Sequence, residues 1–567
     1  MAGKMMGGIP SVHKNNLPFP SLPLTMFHRD LRILIILLFS GALTPMHPIP
    51  ARAADSRQEK PNIILILCDD MGFSDLGCYG GEIRTPNLDR LAANGIRFTD
   101  FHNNAKCSET RATLLTGLWH QQTGMLRRDD HATIPQLLAK GGYHTAISGK
   151  WHLDGHPMDH GFTRFFGFLG GTINYFTGTG WGSRKPDLYY GREPWTPDAD
   201  FYSTDAFTDQ GIRFIEEMTS GTSGSDPFFL YLAYNAPHFP LQAPPEDIAS
   251  YRGLYDEGWD ELRRQRYESM LRMGLISEDS WRLSPRDPKV EAWESLTPPE
   301  RQFLIPMMEV YAAMVDRLDQ NIGRLIESLE ESGRLESTLI CFLSDNGACP
   351  YQRLRTDKVV PGTSESEIAY DARWANLCNT PLRLYKQYAH HGGTLTPMIA
   401  HWPAGIGNPG TLESRTAHIV DIFPTLLEIS GVGYPDRLAG NDLLPLEGLS
   451  FADCLQSRTP LSIHLRPVPI FWEFNGHHAV RSGPWKLVAE RGAPWELYQI
   501  TSDVTETRDL SAAHPEIVSS LNTVYNKWAE RVGATQHSGA SKLSPSTQSQ
   551  LFDLSTITDQ TEPESER

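Results

Sequence analysis

The run Asn62 to Leu67, NIILIL, is apolar at every position after its first, with nothing polar alternating through it. A short unbroken apolar run suits a strand covered on both faces, as in a parallel sheet flanked by helices. It ends in Cys68-Asp69-Asp70. Two carboxylates therefore stand at the carboxyl end of a buried strand, where open α/β sheets place their ligands. Taken alone, aspartates at such a tip serve about as often in a solvated, helix-capping turn. The run Thr338 to Leu343 repeats the pattern and closes on Ser344-Asp345-Asn346-Gly347, a second oxygen-rich tip 275 residues beyond Asp70. One sheet can bring the two tips side by side.

Between these runs strands and helices alternate. Thr85 to Asn94 reads as an amphipathic helix followed by a short strand, Ile134 to Lys140 as a helix, and His144 to Ser148 as a strand. Ser203 to Met218 reads as a helix, and the apolar strand in PFFLYLAYNAPHFPLQAP follows a small-residue linker. Thr172 to Asp200, rich in Gly, Trp, Tyr and Pro, reads as long loops that would shape substrate choice. Residues 246–300 are charged and read as a largely helical surface excursion. In Pro306 to Ser332, Met307, Val310, Tyr311, Met314, Leu318, Ile322 and Leu325 recur at near-helical spacing, a core-facing stripe. Residues 416–429 form a further helix. From about Pro460 the strings PIFWEF, HHAVRSGPWKLVAE and APWELYQI predict a small antiparallel sheet, with a helix over His514 to Val532 packed on it.

The fold expected is α/β: a large mixed, mostly parallel sheet flanked by helices over residues 54–449, and a small antiparallel-sheet subdomain with one helix over 450–537. Residues 538–567, rich in Ser, Thr, Gln and Glu, are expected to be disordered. No internal repeat, glycine-rich phosphate loop or zinc-finger spacing is evident in the sequence.

Arg29 and Arg32 precede the eleven-residue apolar run Ile33 to Leu43, and Ala51-Arg52-Ala53 offers a small-x-small cleavage site, so residues 1–53 read as an export signal with its upstream segment. The run is too short to span a bilayer comfortably. The mature protein is expected to begin near Ala54, periplasmic or secreted and with no membrane attachment after cleavage. Net charge is −17; residues 1–53 contribute five basic and one acidic side chain, so the remainder carries −21. Such a chain is a poor nucleic-acid binder. An anionic substrate would need a local cationic pocket. All seven cysteines lie beyond the signal. An odd count in an exported protein leaves at least one unpaired or modified. Cys68 and Cys341, in strand-like runs, suit buried thiols; Cys349 and Cys378 are loop residues within which a pairing is conceivable.

Cys107 stands where a loop becomes a helix, in Asn104 to Gly117, NAKCSETRATLLTG. Ser108 and Glu109 suit the first helical positions, and Arg111, one turn on from Cys107, can reach back over the cysteine. A CxxxR pattern alone usually means a structural cysteine beside a surface arginine. The longer string CSETRATLLTG resembles the signature of the formylglycine-dependent sulfatases of the alkaline phosphatase superfamily. In that family the cysteine of CxPxR or CxAxR is oxidised after translation to an aldehyde, and Glu109 stands here where Pro or Ala is usual. Further strings resemble the family in order: TPNLDRLAANG, GKWHLDG with HGF and FFG, NAPHFPLQAP, SDNG, and Lys386 seven residues before Gly393. His391 replaces the glutamate of the family's EGG. AVRSGPWKL and ELYQI resemble its C-terminal subdomain, so the resemblance runs from Asn62 to about Val532.

Asp69, Asp70, Asp345 and Asn346 form a hard oxygen set of three carboxylates and an amide, suited to Ca2+, with Mg2+ or Mn2+ also possible, and lacking the histidine or thiolate ligands of a zinc site. The hydrate at Cys107 would complete that shell. The resemblance assigns Lys150 and Lys386 to the sulfate, His152 to the aldehyde hydrate, and His238 to a sulfate oxygen and the departing alcohol. It implies a sulfatase acting on an aryl or carbohydrate sulfate, matured by a formylglycine-generating or anaerobic enzyme. Two alternatives stand beside it: a phosphate or phosphonate monoester hydrolase of the same superfamily, separable by parallel assays on nitrophenyl sulfate and phosphate esters, and a non-catalytic binder of sulfated glycans in which Cys107 stays a thiol. Trp472 and His477, like the 172–200 loops, are compatible with a sugar or with packing.

Overall fold

The computed structural model describes residues 60–180, 182–183, 185–220, 226–353, 359–458 and 466–537. The segment expected to be an export signal and the 538–567 tail expected to be disordered lie outside them. Ten strands form one sheet, in the spatial order Thr411–Glu413, Ile96–Phe98, Met398–His401, Thr338–Ser344, Asn62–Cys68, Phe228–Ala233, His144–Lys150, Arg164–Phe168, Leu188–Tyr190 and Glu193–Trp195. The five from Thr338–Ser344 to Arg164–Phe168 run parallel, and antiparallel pairings take over on both flanks. This is the mixed, mostly parallel sheet expected from the apolar runs. Ile63 to Cys68 and Phe228 to Ala233 are fully buried. Alternate residues of the central strands feed two separate cores, one on each face.

Register sets the tips. Cys68 pairs with Ser344, and Leu67 with both Leu343 and Ala233, so three parallel strands end level. Gly149 (φ 114) lets the neighbouring strand end close in, since a Cβ there would lie 1.9 Å from the Ala233 carbonyl oxygen.

Several elements differ from the sequence expectation. The long helix is Pro298–Glu331 and carries Pro306 inside it; Thr297 and Glu300 form a capping box at its true start. Residues 188–195, expected in loops, add two short strands to the sheet edge. The 246–300 segment is no mere surface excursion. Its helix Gly258–Arg272 buries Trp259, which meets Trp293 and Trp374 edge-on at 4.8 and 5.3 Å. Arg266 of that helix lies buried and ion-pairs with Asp75 at 2.8 Å and Glu82 at 2.7 Å, while Asp75 accepts from the Gly72 N–H at 2.8 Å. The helix thereby anchors the loop that leaves Asp70. Removing one partner from a buried ion pair leaves the others uncompensated, so Arg266→Met is expected to cost about 3–5 kcal/mol. Chemical denaturation with an unchanged slope and a lowered midpoint is the expected readout; an unmoved midpoint contradicts the anchor.

Strands Ile470–Phe474, His477–Ser482, Trp485–Ala489 and Glu496–Gln499 form the small antiparallel sheet in simple meander order, and helix Pro515–Val532 packs on its middle strands. Among the described residues no helix is long and apolar enough to cross a membrane, and all seven cysteines are free thiols.

Candidate active site

The first two tips meet through the backbone. Asp345 N–H donates to Cys68 O at 3.1 Å, Asp69 N–H to Ala236 O at 3.0 Å, and Asp70 N–H to Asp345 Oδ1 at 3.3 Å. Asp70 sits in the left-handed region at φ 69. A non-glycine residue held there is uncommon, and such strain clusters at functional positions.

The third tip is the start of helix Cys107–Thr116. Lys106 is its N-cap and Cys107 its first residue, so Ser108 does not cap the helix as expected; its hydroxyl donates instead to Glu109 Oε2 at 2.7 Å. The helix is tied to the second tip by Thr110 Oγ1, which donates to Asp345 O at 2.7 Å. Arg111, fully buried, donates to Asp345 Oδ2 at 2.9 Å and lies 3.7 Å from Asp69 Oδ2. Its other terminal nitrogen, Nη1, donates to Lys150 O at 3.4 Å and to the Tyr231 hydroxyl at 3.3 Å. Cys107 Sγ and carboxylate oxygens of Asp69 and Asp345 lie within 4.8 Å of one another.

Lys150 ends its strand and ion-pairs with Asp69 Oδ2; Lys386 ion-pairs with Asp70 Oδ1. Both ammonium groups are fully buried. His152 does not continue the strand as the i, i+2 argument supposed: the strand stops at Lys150 and His152 adopts φ 55. Lys150, Arg111 and Asp69 are still near enough to act on its charge. His238 follows the central strand, and its Nδ1 lies 2.6 Å from Phe239 O while its Nε2 lies 3.5 Å from Asp70 Oδ2. All ten candidate residues named from the sequence come together here.

Three buried acceptor oxygens in this cluster have no hydrogen-bond partner: Asp69 Oδ1, Asp70 Oδ2 and Asn346 Oδ1. In each aspartate the other oxygen is taken, by Lys150 or by Lys386 and Asn346 Nδ2. Leaving such a group unpaired costs about 1–3 kcal/mol. Three converging orphans fit a cation, and oxygen donors fit a hard one. His238 and the Cys107 thiol also lie within ligand spacing of the carboxylates, so nitrogen and sulfur are not absent from the neighbourhood as expected.

Ionisation divides unequally. Burial raises Asp69, but Lys150, His238 and Arg111 together hold it well below the usual carboxylate range. Burial and the neighbouring Asp69 charge push Asp345 well above it, against Arg111. Positive charge between them would favour the ionised form of both. Burial, then Lys150, pushes His152 well below the normal imidazole range, and burial takes His238 down to about 3.

One contributor, Asn379, carried no sequence signal. Asn379 donates through Nδ2 to Leu384 O and Gly392 O, both at 2.9 Å, and accepts from Ala348 N–H at 3.0 Å, locking the Lys386 segment against the second tip. A Cβ on Gly347 would meet Gly392 O at 1.8 Å, which accounts for glycine in that SDNG string. His391, in place of the usual glutamate, donates its N–H to Glu506 Oε2 at 2.8 Å, and Glu506 ion-pairs with buried Lys486. Trp472 is buried and donates to Asn103 O at 2.7 Å. It is packing, not a sugar platform.

The family model described as Sulfatase matches residues 61–432, and that described as N-sulphoglucosamine sulphohydrolase, C-terminal, matches residues 383–530. An uncharacterised sulfatase of Schizosaccharomyces pombe is 34% identical over 521 residues, covering 82% of this chain and 93% of its own. An arylsulfatase of Klebsiella aerogenes is 35% identical over 439 residues, covering 70% of this chain and 92% of its own. Among solved structures, Ps i-CgsB in complex with k-i-k-neocarrahexaose has a TM-score of 0.60 at 26% identity, covering 87% of this chain and 97% of that one.

Proposed function

The chain belongs to the sulfatase family and is a sulfuric ester hydrolase, and we propose that it cleaves an aryl or carbohydrate sulfate monoester with residue 107, in its formylglycine form, as nucleophile. The observation that carries this is one buried cluster in which Cys107 lies within 4.8 Å of carboxylate oxygens of Asp69 and Asp345, Asp69, Asp70 and Asn346 each keep an oxygen without a partner, and Lys150, Lys386 and Arg111 ion-pair with the carboxylates.

Asp69, Asp70, Asp345 and Asn346 would hold a divalent cation, Ca2+ or in its place Mg2+ or Mn2+, whose charge favours an oxyanion at residue 107 and offsets the sulfuryl oxygens. The hydrated aldehyde offers two hydroxyls on one carbon, one to attack sulfur and one whose deprotonation expels sulfate. Arg111, pinned by Asp345, stabilises negative charge beside residue 107. Lys150 and Lys386 enter as buried, carboxylate-held ammonium groups, donors aimed in advance at sulfuryl oxygens. His152, kept neutral by burial, can accept the proton of the second hydroxyl.

His238 Nδ1 lies 2.6 Å from Phe239 O, and its Nε2 is on the Asp70 side, 3.5 Å from Oδ2. Burial holds the ring neutral; the negative charge of a bound sulfate ester favours its protonated form. Nε2–H then protonates the leaving oxygen. His238→Ala is expected to lower kcat/KM for an alkyl sulfate by about 10²–10⁴-fold. For nitrophenyl sulfate, whose phenolate leaves without a proton, the loss should stay near tenfold, about 1.4 kcal/mol. Equal losses on both would remove His238 as the acid.

Parallel assays on nitrophenyl sulfate and nitrophenyl phosphate test the overall proposal: sulfate should be the better substrate, and a preference for phosphate would overturn it. The mass of the peptide holding residue 107 separates an enzyme from a binder, since the aldehyde form has exchanged hydrogen sulfide for oxygen.

A further inference from the structure

The rim of the site carries a cation that the chemistry above does not use. Lys106 immediately precedes the nucleophile, extended at φ −153 and ψ 138, with its side chain only partly buried. Its Nζ lies 5.9 Å from the centroid of the Tyr351 ring, and Lys386 Nζ lies 5.6 Å from the same centroid. Lys386 is neutralised by Asp70. Among the described residues no carboxylate stands within ion-pairing distance of Lys106.

That isolation is informative in a chain of net charge −17, where carboxylates are plentiful. The surrounding segments are fixed to one another: Gln387 N–H donates to Ala105 O at 2.8 Å, and Gln387 Nε2 donates to the Tyr351 hydroxyl. Gln387 itself is held at φ 79. An ammonium, a phenol and an amide therefore form one built patch beside the nucleophile. A sulfate monoester brings a single negative charge, for which the donors of Lys150, Lys386 and Arg111, each held by a carboxylate, and the cation proposed above already provide. A further cation held partly desolvated beside them suits a second anion.

We propose that Lys106, flanked by Tyr351 and Gln387, receives a second anionic group of the substrate, a sulfate or a carboxylate, so that the preferred substrate carries at least two anionic groups. This rests on the sulfate-ester reading above.

Sulfonates cannot be hydrolysed as esters and so report binding alone. Titration calorimetry of the matured protein at fixed low ionic strength would compare methanesulfonate with ethanedisulfonate and with sulfoacetate. The wild type is expected to bind at least one of the dianions about tenfold more tightly than the monoanion. Which dianion gains tells sulfate from carboxylate. In Lys106→Gln the ratio should fall to about one, and Lys106→Arg should keep it, which separates recognition from damage to the fold. A wild type without preference, or a preference that survives in Lys106→Gln, overturns the proposal. Failure to hydrolyse any sulfate ester would instead contradict the parent reading, leaving this ratio to be judged by itself.

Discussion

Cys107→Ala is expected to abolish turnover of every sulfate ester, lowering kcat by about 10⁴–10⁶-fold, the loss that follows removal of a nucleophile acting as one unit with its neighbours. Cys107 is a small buried residue at the first position of its helix, and the helix is tied down by Thr110 and Arg111. Truncation there should leave the thermal midpoint close to that of the wild type. The comparison that matters is the variant against wild-type protein carrying an unmodified thiol. A thiol attached to sulfur has no second hydroxyl with which to expel sulfate, so unmatured wild type should be as inert as the alanine variant. Steady-state assays on nitrophenyl sulfate, with the fraction of aldehyde measured by peptide mass, check this: activity should scale with that fraction and extrapolate to zero. Full activity in a preparation that is all thiol would contradict it.

Removal of the cation should have the second largest effect. Dialysis against a chelator is expected to lower kcat by about 10³-fold or more, since a metal at such a site offsets several kcal/mol of developing charge. Readdition of Ca2+ should restore it. The same titration should raise stability, by about 2.7 kcal/mol at a hundredfold excess over Kd, because Asp69 Oδ1, Asp70 Oδ2 and Asn346 Oδ1 gain the partner they lack. Asp345→Asn keeps shape and removes charge, and should weaken both responses together. Undiminished activity in protein shown by elemental analysis to hold no divalent metal would contradict the cation's part.

The sheet and its tips were legible in the chain because three central strands, Asn62–Cys68, Phe228–Ala233 and Thr338–Ser344, are largely apolar runs that stop at or just before charged or amide residues. Parallel register then brings those stops level, Cys68 against Ser344 and Leu67 against Ala233. Other features depended on contacts that no local pattern encodes. The position of His152 was argued from strand alternation, which fails once the strand ends at Lys150 and the backbone turns to φ 55. Pro306 reads naturally as a helix start, yet the helix begins after its N-cap Thr297, about two and a half turns earlier, and Pro306 is carried inside it. The 246–300 segment is charged, but Arg266 is there to meet Asp75 and Glu82, residues 191 and 184 positions away. Likewise Glu506, which supports His391 from 115 residues downstream, becomes visible only when the small antiparallel sheet is docked on the main one.

The most direct measurement is a crystal structure of active, calcium-supplemented protein at a resolution that distinguishes a thiol from a pair of geminal oxygens. One ion is expected to touch Asp69, Asp70, Asp345 and Asn346, with two oxygens on the side-chain carbon of residue 107. An intact sulfur at residue 107 in active protein, or an ion bound away from those four side chains, would contradict it.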